Sequence, residues 1–184
     1  AVCKLFLPQD KLIVETRGRG DQLLERYQST RNGKFLQLPL AVLVNHNSAS
    51  AAEIVAACLQ DHGRAFVFGE RSFGKGTVQQ LTPLESGRSL LKLTWASFWR
   101  PNGSPIHRTD DLREERWGVT PEPQHEVRLS PEEYAIYRKY RTARDLPGSR
   151  DNTVGNGASD TSDFVDKQLR LAVVFLINSL GNGP

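Results

Sequence analysis

Two short apolar runs along the chain enclose a stretch with helical periodicity. The runs at residues 39–45 and 65–69 are continuous, which is typical of strands buried on both faces of a sheet. Between them, apolar residues recur at helical spacing over residues 49–61, and Gly63 follows as a helix-ending signal. A strand–helix–strand order predicts a right-handed parallel crossover, so the pattern indicates the α/β class.

The segments on either side of this unit have a different pattern. Residues 11–16 are rich in β-branched residues and predict a strand, whereas residues 21–38 predict a connector or an irregular hairpin. Residues 77–84 and 89–99 alternate between apolar and polar positions, which predicts antiparallel strands joined by a turn. The strand-rich part of the chain therefore extends well beyond the crossover.

The C-terminal part of the chain predicts helices. A Ser-Pro-Glu-Glu sequence favours a helix start, giving a helix over residues 130–144, and residues 163–180 predict a final amphipathic helix. Between them, residues 146–162 are rich in Gly, Asn, Asp and Ser and predict a flexible linker. We therefore divide the chain into a strand-rich part at residues 1–129 and a helical extension at residues 130–184.

Composition limits the classes of function. The chain has 184 residues and a net charge of +3, which fits one domain, and its scattered basic residues do not indicate a nucleic-acid partner. The longest apolar run is too short to span a bilayer, and no targeting signal is seen. Cys3 and Cys58 lack metal-site spacing and predict buried small hydrophobic residues more than a disulfide framework.

Ser50 lies where the first apolar run meets the helix. A serine nucleophile needs a base and donors for the oxyanion, and a helix start offers free N–H groups and a positive dipole end. The alternative is that Ser48 or Ser50 only caps the helix, which is a common role for serine.

Lys75 lies between two glycines. A lysine can act as a general base if burial lowers its pKa, and Gly74 and Gly76 permit a close backbone approach. The alternatives are a solvated turn lysine or a phosphate-binding loop. Gly76 stands where a phosphate-binding loop needs Ser or Thr, which disfavours the latter.

Three further polar residues could assist Ser50 or Lys75. Gln79, four positions after Lys75 on an extended segment, faces the same side and could orient the amine, although an ordinary strand glutamine fits equally. Glu53 fits an ordinary first-turn acid favoured by the helix dipole better than a group that orients a substrate amine. Asp61 is too far along the helix from Ser50 to act on it, so a helix-end contact with Arg64 is expected.

Histidine chemistry is disfavoured. His46 and His62 lack an obvious Asp orienter, and the G-x-S-x-G elbow is absent. Both histidines are expected to be structural or exposed at the surface.

Together these segments resemble the carboxyl-terminal processing proteases, also called tail-specific proteases. Residues 45–64 carry the pattern N-x-x-S-A-S-A-x-E-I and its continuation, and residues 69–79 carry G-E-R-x-F-G-K-G-x-V-Q. The resemblance implies Ser50 as nucleophile, Lys75 as base and Gln79 as its support. The backbone N–H of Ala51 is then the candidate oxyanion donor.

The resemblance also implies a fold and a setting. The fold is a ClpP/crotonase-like spiral of strand–strand–helix units, partial here, with C-terminal helices. The activity is that of a bacterial serine endopeptidase, periplasmic or associated with the cell envelope, that needs no metal or cofactor. Its substrates are proteins or peptides with exposed C-termini, and self-association into homo-oligomers is left open.

A PDZ domain and a glycine-rich oxyanion loop are expected upstream of Ala1. We therefore expect a fragment of a longer enzyme that is inactive or feeble alone. Two rival functions stay open. One is a noncatalytic peptide-binding or scaffolding member of the same fold, and the other is a crotonase-like acyl-CoA enzyme.

Overall fold

A computed structural model describes residues 1–108, 116–145 and 164–181. These parts contain strands β1 (Leu12–Arg17), β2 (Leu23–Gln28), β3 (Ala41–Val44), β4 (Phe66–Gly69), β5 (Thr77–Leu84) and β6 (Ser89–Trp99), and helices α1 (Ala51–Asp61), α2 (Pro131–Asp145) and α3 (Lys167–Gly181). A short 3-10 helix at Val2–Leu5 precedes them. The mixed α/β class and the C-terminal helices predicted from the sequence are confirmed.

The predicted crossover is present. Strands β3 and β4 pair in parallel, from Ala41 opposite Phe66 to Val44 opposite Gly69, and α1 connects them. The expected burial on both faces is wrong, because Leu43 and Phe66 are 42% and 43% exposed. Within the described residues this sheet has two strands, and an isolated parallel bridge joins Gly69, at the end of β4, to Glu126.

The other sheet is antiparallel, in the order β2-β1-β6-β5. The β5–β6 hairpin has the predicted bounds, and residues 21–38 contain β2, paired irregularly with β1. Strand β1 pairs with β6 only over Glu15–Arg17 and Ser97–Trp99. The distal part of the β5–β6 hairpin therefore extends as a two-stranded ribbon.

Helix α1 lies between two groups of buried apolar side chains. One group joins it to the 3-10 helix and β1 through Cys3, Leu7, Ile13, Val14, Cys58, Leu59 and Ala65. The other joins it to the parallel strands through Val44, Ala56, Ala57, Val67 and Val119. Packing on both sides fixes the helix whose first residue follows Ser50.

The C-terminal helices begin near their predicted positions. Helix α2 has the predicted capping box, with Ser130 N–H donating to Glu133 and Glu133 N–H donating to Ser130 Oγ. Helix α3 contacts β3 and β4. The predicted linker at residues 146–162 lies outside the described residues, and the boundary at residue 129 stays a prediction. No helix in the described ranges is long and apolar enough to cross a membrane.

The end of α1 is held by a buried ion pair. Asp61 Oδ1 lies 2.5 Å from the Arg100 guanidinium, and Asp61 also accepts hydrogen bonds from the backbone and side chain of Asn102. Arg64, the partner expected from the sequence, makes none of these bonds to Asp61. Gly63, at φ +60°, turns the chain after α1, and the Arg64 guanidinium donates to backbone carbonyl groups instead.

We expect Asp61→Ala to lower the free energy of unfolding by about 3 kcal/mol, because it leaves the largely buried Arg100 guanidinium without its charged partner. Urea denaturation measures the change. The matched control is Glu126→Ala, whose partner Arg128 is 80% exposed and whose loss should change stability little. Equal losses in both variants would contradict the importance of the Asp61–Arg100 pair.

Candidate active site

Ser50 lies at the turn between β3 and α1, as the N-cap residue of the helix. Its backbone has φ +59° and ψ −120°, a conformation that costs a non-glycine residue about 1–3 kcal/mol. The turn is held by Ser48, whose hydroxyl accepts the Asn45 N–H at 3.1 Å and whose carbonyl accepts the Phe73 N–H at 2.9 Å. A sharp, strained strand-to-helix turn is the geometry that exposes the nucleophilic serine in other hydrolase folds.

Glu53 connects this turn to the loop at residues 72–75, which we call the lysine loop. Its side chain is fully buried, with an exposed fraction of 0%. Oε2 accepts the Ser50 N–H at 2.9 Å and the Lys75 N–H at 2.8 Å. Oε1 accepts the Gly74 N–H at 2.7 Å and the Ser72 hydroxyl. One carboxylate oxygen therefore holds the backbones of both predicted dyad residues.

Glu53 lies in the first turn of α1, as expected, but it is more than an ordinary first-turn acid, because its carboxylate is buried and accepts four hydrogen bonds. Its position three residues after the N-cap matches a capping box, and that spacing was a signal in the sequence. The donors from Ser72, Gly74 and Lys75 are distant in sequence and gave no such signal.

Ser72 adds a second layer of support. Its hydroxyl donates to Glu53 and accepts the Val119 N–H at 2.8 Å, and its own N–H donates to the Val119 carbonyl at 2.9 Å. Ser72 and Val119 are 2% and 0% exposed. These bonds fix the segment around Val119 against the lysine loop, and nothing in the sequence indicated this role for Ser72.

The two glycines beside Lys75 allow the close approach predicted for them. A Cβ on Gly74, which has φ +83°, would lie 2.7 Å from the Trp117 ring. A Cβ on Gly76 would lie 2.2 Å from the backbone nitrogen of His107. The loop carrying Lys75 is therefore packed tightly against the segment around His107.

The Lys75 side chain itself is exposed. The neighbouring aromatic side chain, Phe73, is itself 57% exposed. The described residues thus hold the Lys75 backbone but do not supply the burial that a lysine base needs. The pairing of Ser50 with Lys75 stays a prediction.

Gln79 is exposed and is held by threonine hydroxyls. Its Nε2 donates to Thr94 Oγ1 at 2.7 Å and to Thr77 Oγ1 at 3.2 Å. These bonds occupy the amide nitrogen, and the predicted contact between the amide oxygen and the Lys75 amine stays a prediction. Ala51 is the first residue of α1, where backbone N–H groups have no acceptor within the helix.

The two histidines have structural contacts. The His46 ring lies 3.3 Å from the Glu70 carboxylate and packs on Tyr134 with ring centroids 4.5 Å apart. His62 Nε2 lies 2.6 Å from the Leu12 carbonyl oxygen. Both positions agree with the structural roles expected from the sequence.

Comparison with known proteins identifies the family. The model of peptidase family S41 matches residues 1–123. The chain belongs to peptidase family S41. The carboxy-terminal-processing protease of Bartonella bacilliformis is 42% identical over 126 residues, which are 68% of this chain and 26% of the relative. The processing protease CtpB of Bacillus subtilis is 41% identical over 108 residues, 58% of this chain and 22% of the relative.

Solved structures agree with this S41 assignment. The photosystem II D1 C-terminal processing protease superposes with a TM-score of 0.58 at 31% identity, covering 71% of this chain and 30% of that one. An S41 protein from Bacteroides fragilis, at 15% identity and a TM-score of 0.50, supports the fold alone. The chain spans about a quarter of the length of the curated relatives it matches.

We expect Glu53→Gln to lower the free energy of unfolding by about 2–3 kcal/mol, because the new NH₂ group would face backbone donors. Hydrogen exchange at the Gly74 and Lys75 amides should accelerate as well. Glu85→Gln, on the exposed hairpin turn, is the matched control. Unchanged amide exchange in Glu53→Gln would show that the carboxylate does not hold the lysine loop.

Gly76→Ala should destabilise the protein by at least about 2 kcal/mol, because backbone atoms must move to admit the methyl group. Gly181→Ala is the control, since a Cβ there meets no atom within 4 Å. Thermal unfolding compares the two variants. Equal unfolding temperatures would contradict the tight packing of the loop.

Proposed function

We propose that this chain forms part of a serine endopeptidase that processes proteins near their C-termini. The observation that carries the proposal is the Glu53 oxygen shared by the Ser50 and Lys75 N–H groups. Without such a link, the two residues would be unrelated parts of a turn and a loop. The 42% identity to a carboxy-terminal-processing protease supports the same activity.

Each site residue has a chemical role in this proposal. Ser50 Oγ attacks the peptide carbonyl carbon, Lys75 accepts the hydroxyl proton and returns it to the leaving amine, and Gln79 positions Lys75. The Ala51 N–H at the start of α1 stabilises the oxyanion. Water then hydrolyses the acyl-enzyme and releases Ser50.

Because the Lys75 side chain is exposed, the site is complete only when a substrate is bound. Its backbone is anchored by Glu53, and its flexible four-carbon stem can move toward Ser50. A bound peptide that covers the amine removes it from water, which favours the neutral form that a base needs. Substrate binding thus supplies the burial that the free chain lacks.

The remaining parts of the enzyme are also proposals. We propose that the whole protein has a PDZ domain that selects substrate C-termini and a glycine-rich loop that supplies a second oxyanion donor. Its relatives include bacterial and chloroplastic processing proteases, which supports action in the cell envelope or a lumen. Residues 1–184 without these parts would be inactive or feeble.

Two observations favour a second candidate function. The exposure of Lys75, and the binding of Gln79 Nε2 to threonines rather than near the amine, would fit a noncatalytic peptide-binding member of the family. Such a protein would keep the Glu53 bonds for stability alone. Reaction of Ser50 with a serine-directed phosphonate separates the two functions.

We expect Ser50→Ala in the full-length protein to lower peptide hydrolysis by at least roughly a thousandfold while the fold is preserved. Peptide cleavage, circular dichroism and labelling by a fluorophosphonate give the readouts. Ser89→Ala, on the exposed β6 strand, is the control and should retain both labelling and cleavage.

Two results would contradict the proposal. Hydrolysis retained in a folded Ser50→Ala protein would exclude Ser50 as the nucleophile. Absence of both labelling and hydrolysis in the folded wild-type protein would support the noncatalytic function.

A further inference from the structure

Cys3 and Cys58 lie together in the apolar group beside α1. They are 3% and 0% exposed, and both are free thiols. The 3-10 helix that carries Cys3 contacts α1, which carries Cys58. Their burial agrees with the sequence prediction, but their proximity was not foreseen, since 54 residues separate them in the chain.

The two thiols are neighbours in the same buried apolar group, and each affects the pKa of the other. A hydrogen bond with Cys58 lowers the pKa of Cys3, and the same bond, with burial, raises the pKa of Cys58. The Cys58 thiol also points toward the Leu12 carbonyl oxygen, at 3.9 Å. The pair is therefore asymmetric, with Cys3 as the better nucleophile and Cys58 as the protonated partner.

Cys3 is also the more accessible of the two through local opening. It is the buried residue of a four-residue 3-10 helix whose Val2 and Leu5 side chains are 50% and 45% exposed. Short elements with few buried side chains open at a small free-energy cost. Cys58 lies in the middle of an eleven-residue helix packed on both sides.

We propose that Cys3 and Cys58 are a modification site at which a peroxide forms an intramolecular disulfide. The Cys3 sulfur attacks a peroxide oxygen, the O–O bond breaks, and Cys3 sulfenic acid and water form. The Cys58 sulfur then attacks the Cys3 sulfur, the S–O bond breaks, and the hydroxyl leaves as water with the Cys58 proton. Two thiols are oxidised and one hydrogen peroxide is reduced to two waters.

The disulfide would join two distant parts of the chain. The closed loop contains β1, β2, β3 and the Ser50 turn. Cross-linking a loop of this length restricts the unfolded chain and stabilises the native state. Oxidation would thus fasten α1, the helix that begins after Ser50, to the 3-10 helix at Val2–Leu5. This inference does not depend on the proposed protease activity.

The test uses the reduced 184-residue chain treated with hydrogen peroxide under native conditions. We expect the intact mass to fall by two hydrogen atoms, a proteolytic peptide pair linked through Cys3 and Cys58, and loss of both maleimide-reactive thiols in denaturant. We also expect the unfolding temperature to rise by about 5 °C or more, and the rise to disappear with a reductant.

Cys3→Ala and Cys58→Ala are the matched controls, because alanine keeps a small apolar side chain at each buried position. Neither variant should lose two hydrogens or gain stability with peroxide. Two thiols still reactive in oxidised wild type, or mass gains from added oxygen alone, would overturn the proposal. Disulfides found only between chains would overturn it as well.

Discussion

The hydrogen bonds to the buried Glu53 carboxylate are the interaction on which the candidate site depends. Burying a carboxylate is unfavourable unless its oxygens are hydrogen-bonded. Here the carboxylate accepts hydrogen bonds from three backbone N–H groups and one hydroxyl, and none of these donors is a cation. They come from the Ser50 turn and from the loop at Ser72–Lys75, so the carboxylate is satisfied only when both segments are in place. The start of α1 adds its positive dipole end. Local helix geometry and a long-range contact thereby stabilise the same group.

This arrangement fixes the backbones of Ser50 and Lys75 and leaves Lys75 exposed. Ser50 is kept in a strained conformation because its N–H is held by Glu53 and its helix is packed on both sides. Lys75 is fixed through its own N–H and its tightly packed flanking glycines, while its amine is exposed. Catalytic hydrogen bonds often tighten only when substrate is bound, so an open amine in the free chain is compatible with a base. The structure without substrate therefore already holds the backbones of Ser50 and Lys75 in place, which a bound peptide could not do.

The sequence predicted the features that depend on local pattern. The bounds of β5 and β6 followed from alternation, and the parallel crossover followed from two apolar runs around a helical stretch. It could not predict contacts decided by distant residues. Asp61 meets Arg100 rather than the nearby Arg64, because the turn at Gly63 and the path of β6 determine which arginine reaches it. The burial of Glu53 likewise depends on where the lysine loop folds back, and no spacing in the sequence encodes that path.

The C-terminal helices contribute to the same scaffold although they lie beyond the family match at residues 1–123. In α3, Gln168 Nε2 donates to the Val127 carbonyl at 2.8 Å, and the Phe175 ring packs on Phe68 with centroids 5.4 Å apart. In α2, the Tyr134 hydroxyl accepts a hydrogen bond from Asn47, in the turn just before Ser50. The parallel strands are thus covered by α1 and by α3, while α2 contacts the turn itself. A strained turn persists only when the surrounding structure holds it in place. These contacts from α2 and α3 therefore help to hold the Ser50 turn, as the contacts within residues 1–123 do.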